Sequence, residues 1–138
     1  MRRQAREVAF QTIFQLDVGK TDRELVLGLM AGDNGLGKAD RAYLYRTVNG
    51  WTEHRAEIDQ VISAFLKQEW SLERLGSAER NIMRLGALEI LYMEDIPDQV
   101  AINEAVELTK VFGDVNAAGL VNGVLDRVAT MEKPGEQV

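Results

Sequence analysis

Three arginines lie within the first six residues of the chain, Arg2, Arg3 and Arg6, and no acidic residue separates them. A planar guanidinium group matches the oxygens of a phosphate and also stacks on an exposed base. These arginines open a helical pattern, where the helix dipole disfavours positive charge. We therefore expect this arginine arm to contact the phosphates of a nucleic acid. A solvated, frayed amino terminus is the alternative that the sequence leaves open.

Two phenylalanines, Phe10 and Phe14, continue the same helical pattern. At about 100° per residue they project on the side of Arg3, away from the small apolar residues of the helix. Exposed rings beside a cation suit stacking or contact with a protein. We expect Phe14 to be exposed and to bind a partner. Phe10 is assigned to the same surface, with a place in a wide buried stripe as its alternative.

Polar residues also interrupt apolar runs in the second half of the chain, as Asn103-Glu104 within 100–108 and Asn122 within 120–125. A buried polar group without a partner is costly, so we expect one of the first pair to bond a helix end or turn backbone. Asn122 is expected to lock a helix junction. Gly119 and Gly123, four residues apart, are expected to let two helices pack closely.

The turn at 113–116 offers backbone N–H groups at the start of a helix, which suits a phosphate or a ribose. Phe112 precedes this turn and is predicted either as core or as a stacking platform. Asn116 is the predicted N-cap of the helix that follows. The turn is therefore a second candidate for contact with a nucleic acid.

Residue types that enzymes combine in active sites are scarce. The chain has no cysteine and a single histidine, His54, which excludes disulfides and thiolate or His-based zinc sites. No P-loop or Rossmann glycine motif occurs, and no nucleophilic or acid–base set surrounds Asn103-Glu104. We predict a protein that is not an enzyme and uses no metal or cofactor. His54 is expected on the surface.

The net charge of −6 argues against a nucleic-acid binder that works alone. The arginine arm contributes +3, so the other 132 residues carry −9. Such a body attracts RNA poorly, and tight binding would need a basic partner. No signal peptide and no apolar run of membrane-spanning length is found, so we expect a cytoplasmic protein.

Apolar residues recur at helical spacing almost throughout, and no alternating strand pattern persists. We predict an all-α fold of about seven helices that fit two three-helix halves, one domain over 1–131, and a disordered tail over 132–138. The predicted helices are about Arg3 to Asp17, a short helix capped by Thr21, about Ala39 to Gln68, a turn through Trp70 to Leu75, a helix that Ser77 caps and that extends to Met93, Pro97 to Phe112, and a last helix capped by Asn116 that extends to about Ala129.

Several of these segments, in this order and spacing, resemble the NusB transcription antitermination factors, and the likeness extends from Arg2 to Asp126. The segments are Arg2-Arg3-x-Ala5-Arg6-Glu7 with Gln11, Glu57-Ile58-Asp59, Glu79-Arg80-x-Ile82-x-Arg84-Leu85, Glu89-x-Leu91-Tyr92, Pro97-x-x-Val100-Ala101-Ile102-Asn103-Glu104-Ala105, and Val121-Asn122-Gly123-Val124-Leu125-Asp126.

The resemblance implies two three-helix subdomains that bind the single-stranded boxA element of nascent ribosomal RNA leaders. It implies a heterodimer with the ribosomal protein NusE, in a complex that helps RNA polymerase pass terminators. The family's RNA contacts map onto Arg2, Arg3 and Arg6 and onto Phe112, Asn116 and Leu120. Its NusE contacts map onto Phe14 and Glu79.

The sequence departs from the family pattern at two positions. A basic residue and an aromatic often precede the Val121-Asn122-Gly123 motif, and here Gly119-Leu120 stands in their place. This loss weakens the expected RNA contact. Asn116 replaces a frequent acidic residue, which reduces repulsion of phosphate.

Two other interpretations remain. NusB-like domains also occur in rRNA methyltransferases, although the chain has no glycine-rich nucleotide-binding region after Asp126 and would then be a fragment. Alternatively, the chain is a helical homodimer module whose aromatic surface mediates self-association.

Overall fold

The computed structural model describes residues 3–19, 21–66 and 71–134. Regular structure in these ranges is helical only, which confirms the predicted all-α class. The elements are α1 (Arg3–Val18), α2 (Arg23–Asp33), α3 (Lys38–Phe65), α4 (Ser77–Tyr92), α5 (Asp98–Phe112), a 3₁₀ turn (Val115–Ala117) and α6 (Ala118–Val128). Arg2, Trp70 and the end of the predicted tail lie outside the described residues.

Six α-helices form where about seven were predicted, because residues 71–75 make turns and bends rather than a helix. The two predicted halves correspond to α1–α3 and α4–α6. Helix α4 packs against α1, α3, α5 and α6. Its residues 81–92 are all buried, as expected of a helix that is covered on every side. One continuous core therefore joins both halves.

A cluster of polar residues fastens the end of α1 to α3 and α4. The Asp17 carboxylate accepts hydrogen bonds from Arg80 at 2.8 Å and Asn81 at 3.0 Å. It also pairs with Arg84 at 3.1 Å and Arg55 at 3.0 Å. Burial alone would raise the pKa of Asp17, but the bonds from Arg80 and Asn81 and the charge of Arg84 lower it to about 2.

Three predicted helix starts are off by one or two residues. Asp22, not Thr21, caps α2 by accepting from the Leu25 N–H at 3.1 Å. Ser77 is the first residue of α4 and not its cap. Asn116 lies in the 3₁₀ turn, which Asp114 caps by accepting from the Asn116 N–H at 2.9 Å. In the first and third cases a neighbouring aspartate satisfies the free N–H groups instead.

The prediction that His54 lies on the surface was wrong. Its side chain is buried, and its ring stacks on Tyr92 with 3.9 Å between centroids and 11° between planes. Helix α3 is covered by α4 on this face. No helix among the described residues has the length and apolar character needed to cross a membrane.

Candidate functional site

Of the two arm arginines that the structure describes, Arg3 is the accessible one. Its side chain is 61% exposed at the start of α1, and its guanidinium donates to both oxygens of Glu104 on α5, at 2.9 and 3.3 Å. The hydrogen bond from Arg3 is the main reason that the pKa of Glu104 lies below its ordinary value. Arg3 is thus positioned by a carboxylate but still faces solvent.

Arg6, predicted as an RNA contact, is buried, with 2% of its side chain exposed. It pairs with Glu89 of α4 at 2.9 Å and with Glu104 at 3.3 Å, and its guanidinium lies 5.7 Å from the centre of the Tyr43 ring. Direct contact between this side chain and RNA does not fit this conformation. The physical reason is that the buried Glu89 carboxylate needs a counter-charge.

Glu89 is the centre of this buried group. Burial raises its pKa above the ordinary value, while the charge of Arg6 and the hydrogen bonds from Arg6 and Tyr43 act in the opposite direction. The sequence carried a signal that was missed, because Glu89 stands inside the apolar run 85–93. A buried acid at that position predicts a basic partner from another helix.

The polar pair of α5 behaves differently from the prediction. Glu104 bonds the side chains of Arg3 and Arg6, not a helix end or a turn backbone. Asn103 is exposed and accepts a hydrogen bond from Gln99 on the same helix. Glu104 therefore joins the accessible arginine to the buried one.

Three phenylalanines form one cluster between α1 and the end of α5. The ring of Phe10 lies 6.1 Å from that of Phe14 and 5.2 Å from that of Phe112. Phe10 is buried, with 3% exposed, whereas Phe14 and Phe112 are half-buried. With Met30, Ala78 and the two glutamines Gln11 and Gln15, they line a predominantly apolar depression of 530 Å³, here called the phenyl groove.

The positions of these rings bear on two predictions, and the RNA contact of Phe112 stays a prediction. Phe10 forms part of the core beneath the groove, so the alternative of a buried stripe applies to it. Phe112 was assigned to RNA and Phe14 to a partner protein, yet both rings face one groove. The apolar lining suits a protein surface better than a phosphate backbone.

Glu79, predicted as a partner contact, is only 8% exposed and fixes the turn between α5 and α6. Its carboxylate accepts from the Asp114 N–H at 2.6 Å. It also lies against Gly76 and Gly113, where a Cβ atom would overlap its oxygens. A side chain at either position would force the Glu79 carboxylate to move.

The turn held by Glu79 borders a second depression, here called the turn pocket, of 380 Å³. Asn116 and Leu120, both predicted RNA contacts, line it together with Asp114 and Glu79. Arg74 lines it as well, and its exposed side chain has no hydrogen bond or ion pair within 3–19, 21–66 and 71–134. Sequence reasoning missed Arg74 because it belongs to a separate segment, about 40 residues before the turn.

A third surface connects the arginine arm to the start of α6. An open depression of 680 Å³, here called the arm–α6 depression, is lined by Arg3, Asn103, Lys110, Gly119 and Asn122, together with the carboxylates of Glu104 and Glu107. The expected close helix packing at Gly119 and Gly123 is not found, since no atom lies within 4 Å of a Cβ built at either residue. Asn122 is exposed and locks no helix junction.

The described ranges contain no group of three or more His, Cys, Asp or Glu side chains arranged to hold a metal ion. Besides the acids Asp114 and Glu107, the accessible polar side chains on these surfaces include those of Arg3, Arg74, Lys110, Asn116 and Asn122. They are hydrogen-bond donors and amides, the groups that contact phosphate oxygens and base edges. Side chains of these types can bind phosphates and bases.

Comparison with known proteins gives a consistent result. The family model described as "NusB family" matches residues 3–130. The transcription antitermination protein NusB of Desulforamulus reducens is 43% identical over 127 residues, covering 92% of this chain and 88% of the relative. That of Oceanobacillus iheyensis is 42% identical over 129 residues, covering 92% and 97%.

Two solved structures have similar folds. T. maritima NusB superposes with a TM-score of 0.88 at 36% identity, over 97% of this chain and 94% of that one. A structure of the antitermination factors NusB and NusE in complex with dsRNA gives a TM-score of 0.84 at 28% identity, over 93% and 95%.

Proposed function

Since this chain belongs to the NusB family of transcription antitermination proteins, we propose that it binds the single-stranded boxA element of nascent ribosomal RNA leaders as a heterodimer with NusE. Within the antitermination complex of RNA polymerase, this heterodimer promotes processive transcription of ribosomal RNA. The function is one of binding, and no catalytic step is assigned to the chain.

One observation carries the proposal. The fold of this chain extends over nearly the whole of a NusB chain whose structure contains both NusE and RNA. Because that likeness covers 93% of this chain, the surfaces described above lie on a fold shared with a protein whose structure contains both partners. The RNA in that structure is described as double-stranded, so the experiment must compare single strands with duplexes.

We assign RNA to the arm–α6 depression and the turn pocket. Arg3, Lys110 and Arg74 supply cations to phosphates, and Asn116 and Asn122 supply amides that pair with base edges. Arg74 brings a cation to the turn where Gly119-Leu120 has replaced the family's basic and aromatic pair. Arg2 stays a prediction.

We assign NusE to the phenyl groove. Phe14 and Phe112 are half-buried aromatic rings in an apolar lining, the kind of anchor that dominates protein interfaces. The charge of −9 outside the arginine arm favours a basic partner. The basic partner would then supply the positive electrostatic potential that attracts RNA, which this acidic chain lacks.

The test is a titration of labelled RNA with this protein alone, with NusE alone, and with both. The RNAs are single-stranded boxA, a scrambled single strand and a boxA duplex. We expect synergy between the proteins on single-stranded boxA, with a log–log salt slope for this chain near −2 if about three phosphates are engaged. Absence of binding at low salt, with and without NusE, would overturn the proposal, as would preference for the duplex.

The phenyl groove also favours a second candidate, self-association, because half-buried rings suit an identical partner as well as a foreign one. Sedimentation of the free protein tests it. A homodimer that NusE dissociates shows that both occupants share the groove.

A further inference from the structure

A cationic and aromatic surface lies on the first turns of α3, apart from the three surfaces described above. Lys38, Arg41 and Tyr45 share one helix face at spacings of three and four residues. With Leu36 and Ala42 they line a shallow depression of 580 Å³, here called the α3 patch. No carboxylate belongs to its lining.

The two cations of the α3 patch are not neutralised. Neither Lys38 nor Arg41 makes a hydrogen bond or ion pair through its side chain in the ranges that the structure describes, and both are exposed. Other surface arginines do pair, as Arg46 does with Asp95 at 2.9 Å and Arg55 with Asp17 at 3.0 Å. In a protein of net charge −6, this is a local site of positive potential.

Folding does not explain this arrangement. Asp40, between the two cations in sequence, is buried and is not among the residues that line the patch. The position at the start of α3 is one where the helix dipole disfavours positive side chains. The charges therefore add nothing to the stability of the helix, and a ligand of opposite charge explains them better.

We propose that the α3 patch is a second contact for the RNA backbone, holding nucleotides that flank the element bound at the arm–α6 depression. This inference rests on the proposed function. The Gln4 side-chain amide donates to the Asn34 carbonyl at 3.4 Å, so the start of α1, which carries Arg3, adjoins the loop that leads to Lys38. An RNA strand that leaves Arg3 over this junction would run toward the patch.

The chemistry of the α3 patch defines the kind of contact. Lys38 and Arg41 bind phosphate oxygens, and the half-buried ring of Tyr45 offers a face on which a base stacks. Neither interaction reads base identity. The patch therefore raises the affinity for longer RNA strands without selecting a particular base sequence.

The experiment compares a core boxA RNA with the same RNA extended by about ten nucleotides at either end, using the complex with NusE. The test variant is Lys38→Ala with Arg41→Ala. The matched control, Arg23→Ala with Lys133→Ala, removes the same charge from residues that pair with Glu24 and Asp98. Circular dichroism verifies the fold of each.

We expect one extended RNA to bind the unsubstituted protein more tightly than the core RNA. The test variant loses this gain, roughly fivefold for two surface ion contacts, and its salt slope becomes shallower by about 1.4 for two phosphates on a single strand. The control variant keeps the gain. Core RNA binds all three proteins alike.

Each other outcome is decisive. Equal binding of core and extended RNA by the unsubstituted protein overturns this inference and leaves the proposed function standing. If the test and control variants lose the affinity gain for extended RNA equally, the inference is also overturned. It is likewise overturned if the test variant binds NusE more weakly but RNA as before, because the α3 patch is then a contact for protein. Failure to bind the core RNA at all overturns the proposed function, and this inference with it.

Discussion

Arg3 and Arg6 donate to the same carboxylate, that of Glu104, although one arginine faces solvent and the other is buried. Through Glu104, the exposed Arg3 is connected to the buried ion pair between Arg6 and Glu89. It also means that a phosphate approaching Arg3 meets a negative charge already in place.

The change Glu104→Gln is expected to tighten RNA binding by a few-fold. The substitution removes a carboxylate that repels phosphate and competes for Arg3, while Glu89 still pairs with Arg6. Fluorescence anisotropy with single-stranded boxA measures the effect. Glu53→Gln, which neutralises an exposed acid on α3 that lines none of the described surfaces, is the comparison. Weaker binding by the Glu104 variant would contradict the idea that this carboxylate competes with phosphate.

Arg6→Ala is expected to act on stability, by about 3–5 kcal/mol, because it leaves Glu89 buried without its counter-charge. Urea unfolding measures this. The double variant Arg6→Met with Glu89→Leu should recover much of the loss, since it removes both charges from the core. A stable Arg6→Ala protein with weakened RNA binding would restore the original assignment of Arg6 to RNA.

The free energy of unfolding should fall with acid because of Asp17. Its pKa is lowered from an ordinary value of 3.8 to about 2, so the folded protein favours the ionised form. The contribution of Asp17 is complete above pH 4 and is lost as the pH falls through about 2. Denaturant titrations from pH 5 to pH 2 measure it. Asp17→Asn should show a smaller decline, and an identical pH profile would rule out this source.

Phe14→Ala should weaken NusE binding by about tenfold or more, as expected for an aromatic anchor at an interface, and leave RNA binding by the free protein unchanged. Calorimetry with NusE measures it. Leu29→Ala, at an exposed apolar residue outside the groove lining, should have little effect. Unchanged affinity of the Phe14 variant would remove NusE from the phenyl groove.

Arg74→Ala should weaken binding of single-stranded RNA and make the log–log salt slope shallower by about 0.7, the value for one phosphate. Arg23→Ala serves as control because Arg23 is also exposed but pairs with Glu24. Equal slopes for the two variants would show that Arg74 does not compensate for Gly119-Leu120.

The fold was accessible from the sequence because the apolar residues of each helix repeat at helical spacing. Helix α3 and the end of α5 at Phe112 follow the predicted pattern closely. The caps at Thr21 and Asn116 were misplaced because an aspartate nearby offers the same side-chain oxygen. Capping preferences read from the sequence do not distinguish between two nearby residues that can both cap a helix.

The candidate site was less accessible, because its contacts join residues that are distant in sequence. Arg6 and Glu89 are 83 positions apart, and no local pattern pairs them. Phe112 packs on Phe10 only once α5 folds back on α1. The buried Glu79 and the accessible Arg74 show the same limit, since exposure of a charged residue depends on which helices cover it.

The position of Glu79 bears on how two ligands influence each other. Its neighbour Ala78 lines the phenyl groove, while its own carboxylate holds Asp114 beside the turn pocket. A protein bound over Ala78 and Phe112 would thus restrict the same backbone that presents Asn116. The binding of the two ligands can therefore be coupled through Glu79 and the adjacent turn alone. If one ligand raises the affinity for the other, thermodynamic reciprocity requires the second to raise the affinity for the first by the same factor.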